Sequence, residues 1–113
     1  MDIEKIREIC VSKPFATECF PFDETTLVFK VHEKVFALLL LKHPHRLNLK
    51  CDPDEAIQLR ETYNFVLPGY HMNKKHWNTI TDIENVPDSF IIDNIHNSYQ
   101  LVWNKLPLRL RSK

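Results

Sequence analysis

Glycine is almost absent from this chain of 113 residues, which contains it once, at position 69. A P-loop or a dinucleotide-binding loop needs several glycines, so the sequence excludes both. The three cysteines, Cys10, Cys19 and Cys51, form no Cys-x-x-Cys pair. That spacing argues against a thiolate zinc site and against a disulfide framework, and we expect small buried thiols instead.

Long hydrophobic runs are also missing. The longest, residues 35–41, has the length of a strand, whereas a helix that crosses a bilayer needs about 20 apolar residues. The opening residues 2–5 lack the basic-then-apolar order of a signal peptide. We therefore expect a cytoplasmic protein without a membrane partner, built as one monomeric domain over residues 1–113.

The formal net charge is zero, but the charges are unevenly distributed. Residues 34–51 carry four basic and no acidic side chains, residues 65–81 carry two lysines and no acid, and residues 105–113 carry four basic groups. Acidic stretches separate them. A zero total disfavours strong nonspecific binding to nucleic acid but permits a local basic face. The basic tail, from about residue 106 to 113, is expected to be flexible.

Hydrophobic periodicity predicts the order of the elements. A helix is expected over residues 3–11, and strands over 17–22, 26–31, 35–41 and 46–51, where Leu47, Leu49 and Cys51 point inward and Asn48 outward. A second helix begins at Asp52-Pro53 and buries Ala56, Leu59 and Tyr63. A last strand (77–81) and a helix (88–105) follow. The prediction is an α+β fold, with a single antiparallel sheet packed by helices on one face.

No motif of catalysis or of metal binding is present. The six histidines include no His-Glu-x-x-His set, and no Gly-x-Ser-x-Gly elbow occurs. The sequence therefore predicts no enzyme activity, no cofactor and no metal site. An enzyme that uses His71 or His76 is a third hypothesis.

Residues 68–79 combine aromatic, basic and amide side chains. Pro68-Gly69 is expected to be a tight turn in which glycine takes a positive φ. The rings of Tyr70 and Trp77 suit stacking, and the lysines suit phosphate. The candidate nucleic-acid-binding residues, with cations from the fourth strand and the loop before it, are Lys42, Arg46, Lys50, Tyr70, His71, Asn73, Lys74, Lys75, His76, Trp77 and Asn78. Alternatively, Trp77 is a core residue, and His71 and Asn73 satisfy backbone groups of a loop.

Several segments resemble the MmcQ/YjbR family of small bacterial proteins. They are residues 18–22, 29–31, 34–37, 49–53, 68–79, 87–88 and 98–102. The resemblance implies a fold similar to the CyaY/frataxin group and DNA binding through β-hairpin wings. One departure is the turn Val31-His32-Glu33, where many relatives have glycine.

Two functions follow as hypotheses. The first is a non-catalytic DNA-binding module that uses the surface around residues 69–79. The second is a protein-interaction or small-anion-binding domain without affinity for DNA, which the zero net charge and the acidic stretches favour.

Overall fold

The computed structural model describes residues 1–111, which form one antiparallel sheet and a layer of helices. The helices are α1 (Ile3–Ser12), α2 (Pro53–Thr62), α3 (Asp88–Asn104) and the short α4 (Leu108–Arg111). The strands are β1 (Ala16–Cys19), β2 (Thr26–Val31), β3 (Lys34–Leu40), β4 (Arg46–Lys50), β5 (Val66–Pro68) and β6 (Trp77–Ile80). The predicted α+β class is confirmed, whereas β5 was not predicted as a strand.

The predicted starts of α1 and α2 are confirmed by side-chain caps. The Asp2 carboxylate accepts a hydrogen bond from the backbone N–H of Lys5 at 2.9 Å. The Asp52 carboxylate accepts from the N–H groups of Asp54 and Glu55, with proline at the first helical position. These contacts satisfy amide groups that the first turn of a helix leaves unpaired.

The predicted buried stripe of α2 is only partly correct. Ala56 is fully buried, but Leu59 is half-buried and Tyr63 is exposed. The reason is that α2 packs over β5 and β6 at one edge of the sheet rather than over its centre. The Tyr63 ring packs instead against the rings of Phe65 and Phe90, with centroids 5.2 and 4.9 Å away.

The strands lie in the order β1-β2-β3-β4-β6-β5 and every neighbouring pair is antiparallel. The β2–β3 hairpin turns through His32 and Glu33, whose φ angles are 47° and 69°. Two consecutive positive φ angles match the twist of a two-residue hairpin, which usually contains glycine or asparagine. This turn, which departs from the family pattern, therefore has the positive φ angles typical of glycine although it contains no glycine.

The two faces of the sheet differ in how they are covered. The face toward the helices holds the main core, in which side chains such as Phe29, Leu39 and Leu47 pack against Ile6 of α1 and Ile95 of α3. The opposite face, called here the open face, has no helix among the described residues. Alternation along β4 places Arg46, Asn48 and Lys50 on it.

Within residues 1–111, no helix is both long enough and apolar enough to cross a membrane. Of the predicted basic tail, Leu106 is buried and Leu108–Arg111 form α4. Residues 112–113 lie outside the described part of the chain.

Candidate functional site

A loop formed by residues 69–76, between β5 and β6, folds over the open face. Its start is held by the N–H of Gly69, which donates to the carbonyl of Trp77 at 2.9 Å. The N–H of Tyr70 donates to the Thr79 hydroxyl at 2.9 Å. These contacts hold the first residues of the loop against β6 and place the Tyr70 ring beside β4.

The only glycine is required for space and not for a positive φ, which corrects the prediction. Gly69 does not have a positive φ. A Cβ at Gly69 would lie 2.7 Å from the Cβ of Trp77 and 2.9 Å from its carbonyl oxygen, closer than side chains pack. The positive φ of this loop occurs two residues later, at His71 (58°).

Trp77 is buried rather than available for stacking. Only 9% of it is exposed, and it packs with Val28 and Leu38 in a second small core, which Met72 of the loop partly covers. Alternation along β6 places Trp77 on the open face, and the loop then covers it. Trp77 is therefore a core residue, the second of the two interpretations that the sequence allowed.

Asn78 faces the opposite way and is also buried. Its amide nitrogen donates to the carbonyl of Ala56 at 3.3 Å, and its oxygen accepts from Nε of Arg60 at 2.7 Å. Arg60 donates as well to the carbonyl of Lys74. Asn78 therefore ties α2 to the sheet and offers no contact surface, contrary to its expected exposure.

Asn73 and Asn48 have structural contacts too. The Asn73 side chain accepts from the N–H of Lys75 at 2.9 Å, which closes a turn. Asn48 was expected to point outward; it does lie on the open face, but it is only 4% exposed. Its oxygen accepts from the Thr79 hydroxyl at 2.5 Å.

A groove of about 400 Å³ lies between the loop and the segment after β1. Its floor is apolar, from Val35, Leu38 and Leu40, and its walls include Tyr70 and Arg46. The Arg46 guanidinium carbon lies 5.7 Å from the centre of the Tyr70 ring, within the range of a cation–π contact.

Aromatic side chains at the groove are accessible. Tyr70 is 48% exposed, and its ring centre is 4.0 Å from that of the exposed His71. Phe22 on the opposite wall is 72% exposed.

Beside Phe22, the Asp23 carboxylate accepts hydrogen bonds from the N–H groups of Thr25 and Thr26, which lowers the pKa of its carboxyl. This wall therefore carries a negative charge at neutral pH.

A second pocket of about 430 Å³ shares Val35 with the groove and contains three lysines, Lys34, Lys50 and Lys105. Partial burial, and then the charges of Lys105 and Lys34, lower the pKa of Lys50. Within residues 1–111, none of the three lies within 4.0 Å of a carboxylate. We call this group the lysine pocket.

Of the lysine pocket, only Lys50 is among the residues predicted from the sequence to bind nucleic acid. Lys34 follows the hairpin turn and Lys105 caps α3, 71 positions later in the numbering. The alternation of β3 could have placed Lys34 near an end of the sheet. The approach of Lys105 depends on how α3 packs, which the sequence pattern does not give.

The remaining predicted cations lie near the two ends of β4. Lys74 and Lys75 are exposed in the turn beyond its C-terminal end, where the N–H of Cys51 donates to the carbonyl of the half-buried His76 at 2.8 Å. Lys42 is exposed in the connection that leads to Arg46 at the other end. Arg46 and Lys50 are four residues apart on the strand, which corresponds to about 13 Å.

A group of side chains that could hold a metal ion lies near the start of β4. His43, His45 and Glu84 each place one ligand atom within 4.8 Å of the others. The sequence predicted no metal site, because no short ligand motif contains these three residues.

Comparisons with known proteins agree with this fold. The model of the YjbR family matches residues 11–101. The uncharacterized protein YbdF of Escherichia coli O157:H7 is 35% identical over 107 residues, covering 94% of this chain and 88% of YbdF. The uncharacterized protein YjbR of Escherichia coli K12 is 32% identical over 108 residues, covering 95% and 92%.

Solved structures are similar as well. The crystal structure of Deinococcus radiodurans protein DR2400 superposes with a TM-score of 0.84 at 39% identity, covering 91% of this chain and 79% of that one. A crystal structure from Pseudomonas syringae has a TM-score of 0.77 at 24% identity, covering 89% and 98%, and supports the fold alone.

Proposed function

The chain belongs to the YjbR family, and from that premise we propose that it binds single-stranded nucleic acid on the open face of its sheet. The observation that carries the proposal is the lysine pocket, beside a groove walled by the exposed Tyr70 ring and Arg46. DNA is the expected nucleic acid, as the family resemblance implies. The CyaY-like description of the fold, the cytoplasmic location, the monomeric state and the lack of catalysis also stay predictions.

The lysine pocket supports binding of an anion. Three lysine side chains line it, and none of them lies within 4.0 Å of a carboxylate of residues 1–111. Burial, and then repulsion by Lys105 and Lys34, lowers the pKa of Lys50. A phosphate among them would relieve that repulsion and release counterions. The exposed Lys74 and Lys75, near the same end of β4, would extend the path of the phosphates.

The groove supports an unpaired strand rather than a duplex. A base can stack on Tyr70 or His71 only when it is not held inside a duplex. The volume of about 400 Å³ and the apolar floor suit a flat ring. In this arrangement Trp77 packs beside the floor residue Leu38, and Arg46 reaches a phosphate beside the stacked base.

The negative charge on the opposite wall determines which side of the groove the nucleic-acid backbone follows. Asp23 would repel phosphates near Phe22, so the backbone should pass on the side of Arg46 and Lys50. The acids of α2 and α3 and the zero net charge limit long-range attraction. We therefore expect moderate affinity with a strong dependence on salt.

The test is a titration of a fluorescein-labelled single-stranded oligonucleotide, with the matching duplex as competitor, at several salt concentrations. Saturable binding that fades with salt and is weakly competed by duplex is expected. Tyr70→Ala should weaken it by about 1–3 kcal/mol, the contribution of one stacked base, whereas Tyr70→Phe, which keeps the ring, should not. No saturable binding at low salt would refute the proposal.

A small organic anion is the second candidate. The apolar floor and the single Arg46 guanidinium at the wall are typical of a pocket for a flat carboxylate. This candidate predicts that a mononucleotide or an aromatic carboxylate raises the melting temperature as much as an oligonucleotide does. Nucleic-acid binding predicts instead that affinity increases with strand length.

A further inference from the structure

We propose that His43, His45 and Glu84 form a binding site for a divalent transition-metal ion such as Zn²⁺. The three ligand atoms already lie within 4.8 Å of one another. The two histidines come from the connection between β3 and β4. Glu84 comes from the short 3-10 helix Ile83–Asn85 after β6. The two segments are distant in the sequence and meet only in the folded sheet, so no short sequence motif contains all three residues.

The ring of His45 is oriented for coordination. Its Nδ1 lies 3.3 Å from the carbonyl oxygen of Leu40, and its side chain is only 18% exposed. Because a carbonyl can only accept, Nδ1 carries the hydrogen in this contact, and a neutral ring then keeps its lone pair on Nε2. Nε2 is the atom that faces Glu84, at 3.9 Å from its carboxylate oxygen. A backbone carbonyl that fixes the ring in this way is the usual partner of a metal-bound histidine.

Glu84 extends from a fixed backbone. Ile83 is fully buried, and its carbonyl accepts from the N-terminal ammonium group at 2.9 Å. The Glu84 side chain is 45% exposed and His43 is exposed, so both can rotate. A bound ion would draw the ligand atoms to about 2.0–2.2 Å from itself, which these two rotations permit without moving β4.

An ion pair between a protonated His45 and Glu84 is the competing explanation. It accounts for the 3.9 Å separation but gives no role to His43. The His43 ring lies nearly perpendicular to that of His45, at 88° with centroids 5.3 Å apart. Such an arrangement lets nitrogen atoms of both rings approach one point near the carboxylate.

The donor set indicates the kind of ion. Two imidazoles and one carboxylate suit Zn²⁺, Co²⁺, Ni²⁺ or Cu²⁺, whereas Mg²⁺ and Ca²⁺ prefer oxygen ligands. Three protein ligands leave a position for water or for another ligand. The neighbouring cations Lys42 and Arg46 would weaken the attraction for a divalent ion, so we expect moderate rather than very tight binding.

The experiment titrates the full chain with Co²⁺, followed by visible absorption, and with Zn²⁺ in competition with a chromophoric chelator. One equivalent is expected to bind. His43→Ala, His45→Ala and Glu84→Gln should each weaken binding about tenfold or more, by analogy with the 10–100-fold losses seen when even a supporting partner is removed. His96→Ala, which removes an exposed histidine of α3, is the control and should bind as the wild type does.

Circular dichroism of each variant separates lost ligands from lost folding. Histidine ¹H–¹⁵N spectra provide a readout that does not depend on mutation. Zn²⁺ should shift the ring signals of His43 and His45 and leave those of His96 unchanged. Absence of saturable binding, an equal loss in His96→Ala, or full binding by Glu84→Gln would each overturn the three-residue site. The result does not depend on whether nucleic acid binds.

Discussion

The hydroxyl of Thr79 donates a hydrogen bond to the side-chain oxygen of Asn48 across 2.5 Å, between two buried residues of β6 and β4. The same hydroxyl accepts from the N–H of Tyr70 at 2.9 Å. One buried group thus joins two strands and fixes the start of the loop over the open face. The polar contact explains why an asparagine is tolerated at a buried position of the sheet.

Thr79→Val keeps the shape of the side chain and removes this hydroxyl. The buried oxygen of Asn48 and the partly buried N–H of Tyr70 would then lose their partner, which typically costs about 1–3 kcal/mol for a fully buried group. We expect the free energy of unfolding, measured in urea, to fall by about 2 kcal/mol or more. Thr17→Val on β1, where the threonine is exposed, is the matched control and should change it little.

The same variant should also affect the proposed site. If Thr79 positions Tyr70, Thr79→Val weakens oligonucleotide binding even under conditions where the variant is fully folded. Unchanged stability together with unchanged binding would show that water or an alternative partner satisfies both groups.

Gly69→Ala should destabilise the protein because the new methyl group meets backbone and Cβ atoms of Trp77 at 2.9 and 2.7 Å. Neither contact can be relieved by rotating a flexible side chain. We expect a loss of about 1–3 kcal/mol, as for other overpacked sites, measured by chemical denaturation.

His71→Gly is the converse variant, since it removes a side chain from a residue with positive φ (58°). It should leave stability unchanged or raise it by up to about 1–2 kcal/mol.

Gly69 and Asn48 also show how much of the site could be predicted from the sequence alone. The rarity of glycine correctly marked position 69 as constrained, but a steric contact with Trp77, eight residues later, cannot be seen in a local pattern. Likewise, alternation along β4 correctly placed Asn48 on the face away from the helices. Its burial and that of Trp77 depend on a loop of irregular backbone that covers this face, and no periodicity predicts the path of that loop.

Regular elements were predictable for a physical reason. The caps at Asp2 and Asp52 act within one turn, and strands with alternating side chains record which face is buried. The three-residue strand β5 was too short for such a pattern. The lysine pocket and the group of His43, His45 and Glu84 combine distant segments, so no local pattern in the sequence indicates that their members lie close together.

The thiols provide a test of burial and pH. Burial raises the pKa of Cys10 to about 12 and that of Cys51 to about 11. Both should therefore stay as unreactive thiols in the folded protein at pH 8. With Ellman's reagent, we expect the half-buried Cys19 to react first and the other two only upon unfolding in urea.

The same shifts predict an alkaline loss of stability. Because these pKa values are raised in the folded state, the thiolate favours unfolding. The contribution is intact below the unfolded pKa of about 8.5 and is lost as pH rises toward about 11 for Cys51 and about 12 for Cys10. Cys10→Ala in the same pH series should show a smaller decline. Rapid labelling of Cys10 in the native protein, or an identical decline in that variant, would contradict its burial.

The salt dependence of binding tests whether the exposed lysines of the loop contact phosphate. For a single strand, each neutralised phosphate contributes about 0.7 to the slope of log K against log salt. Lys74→Gln combined with Lys75→Gln should therefore flatten the slope by about 1.4, without changing the melting temperature, because both side chains are exposed. Lys5→Gln combined with Lys13→Gln removes the same charge at α1 and should preserve the slope. Equal changes of the slope in the two double variants would mean that binding depends only on the total charge of the protein. A specific path over the open face requires that replacing Lys74 and Lys75 flattens the slope and that replacing Lys5 and Lys13 does not.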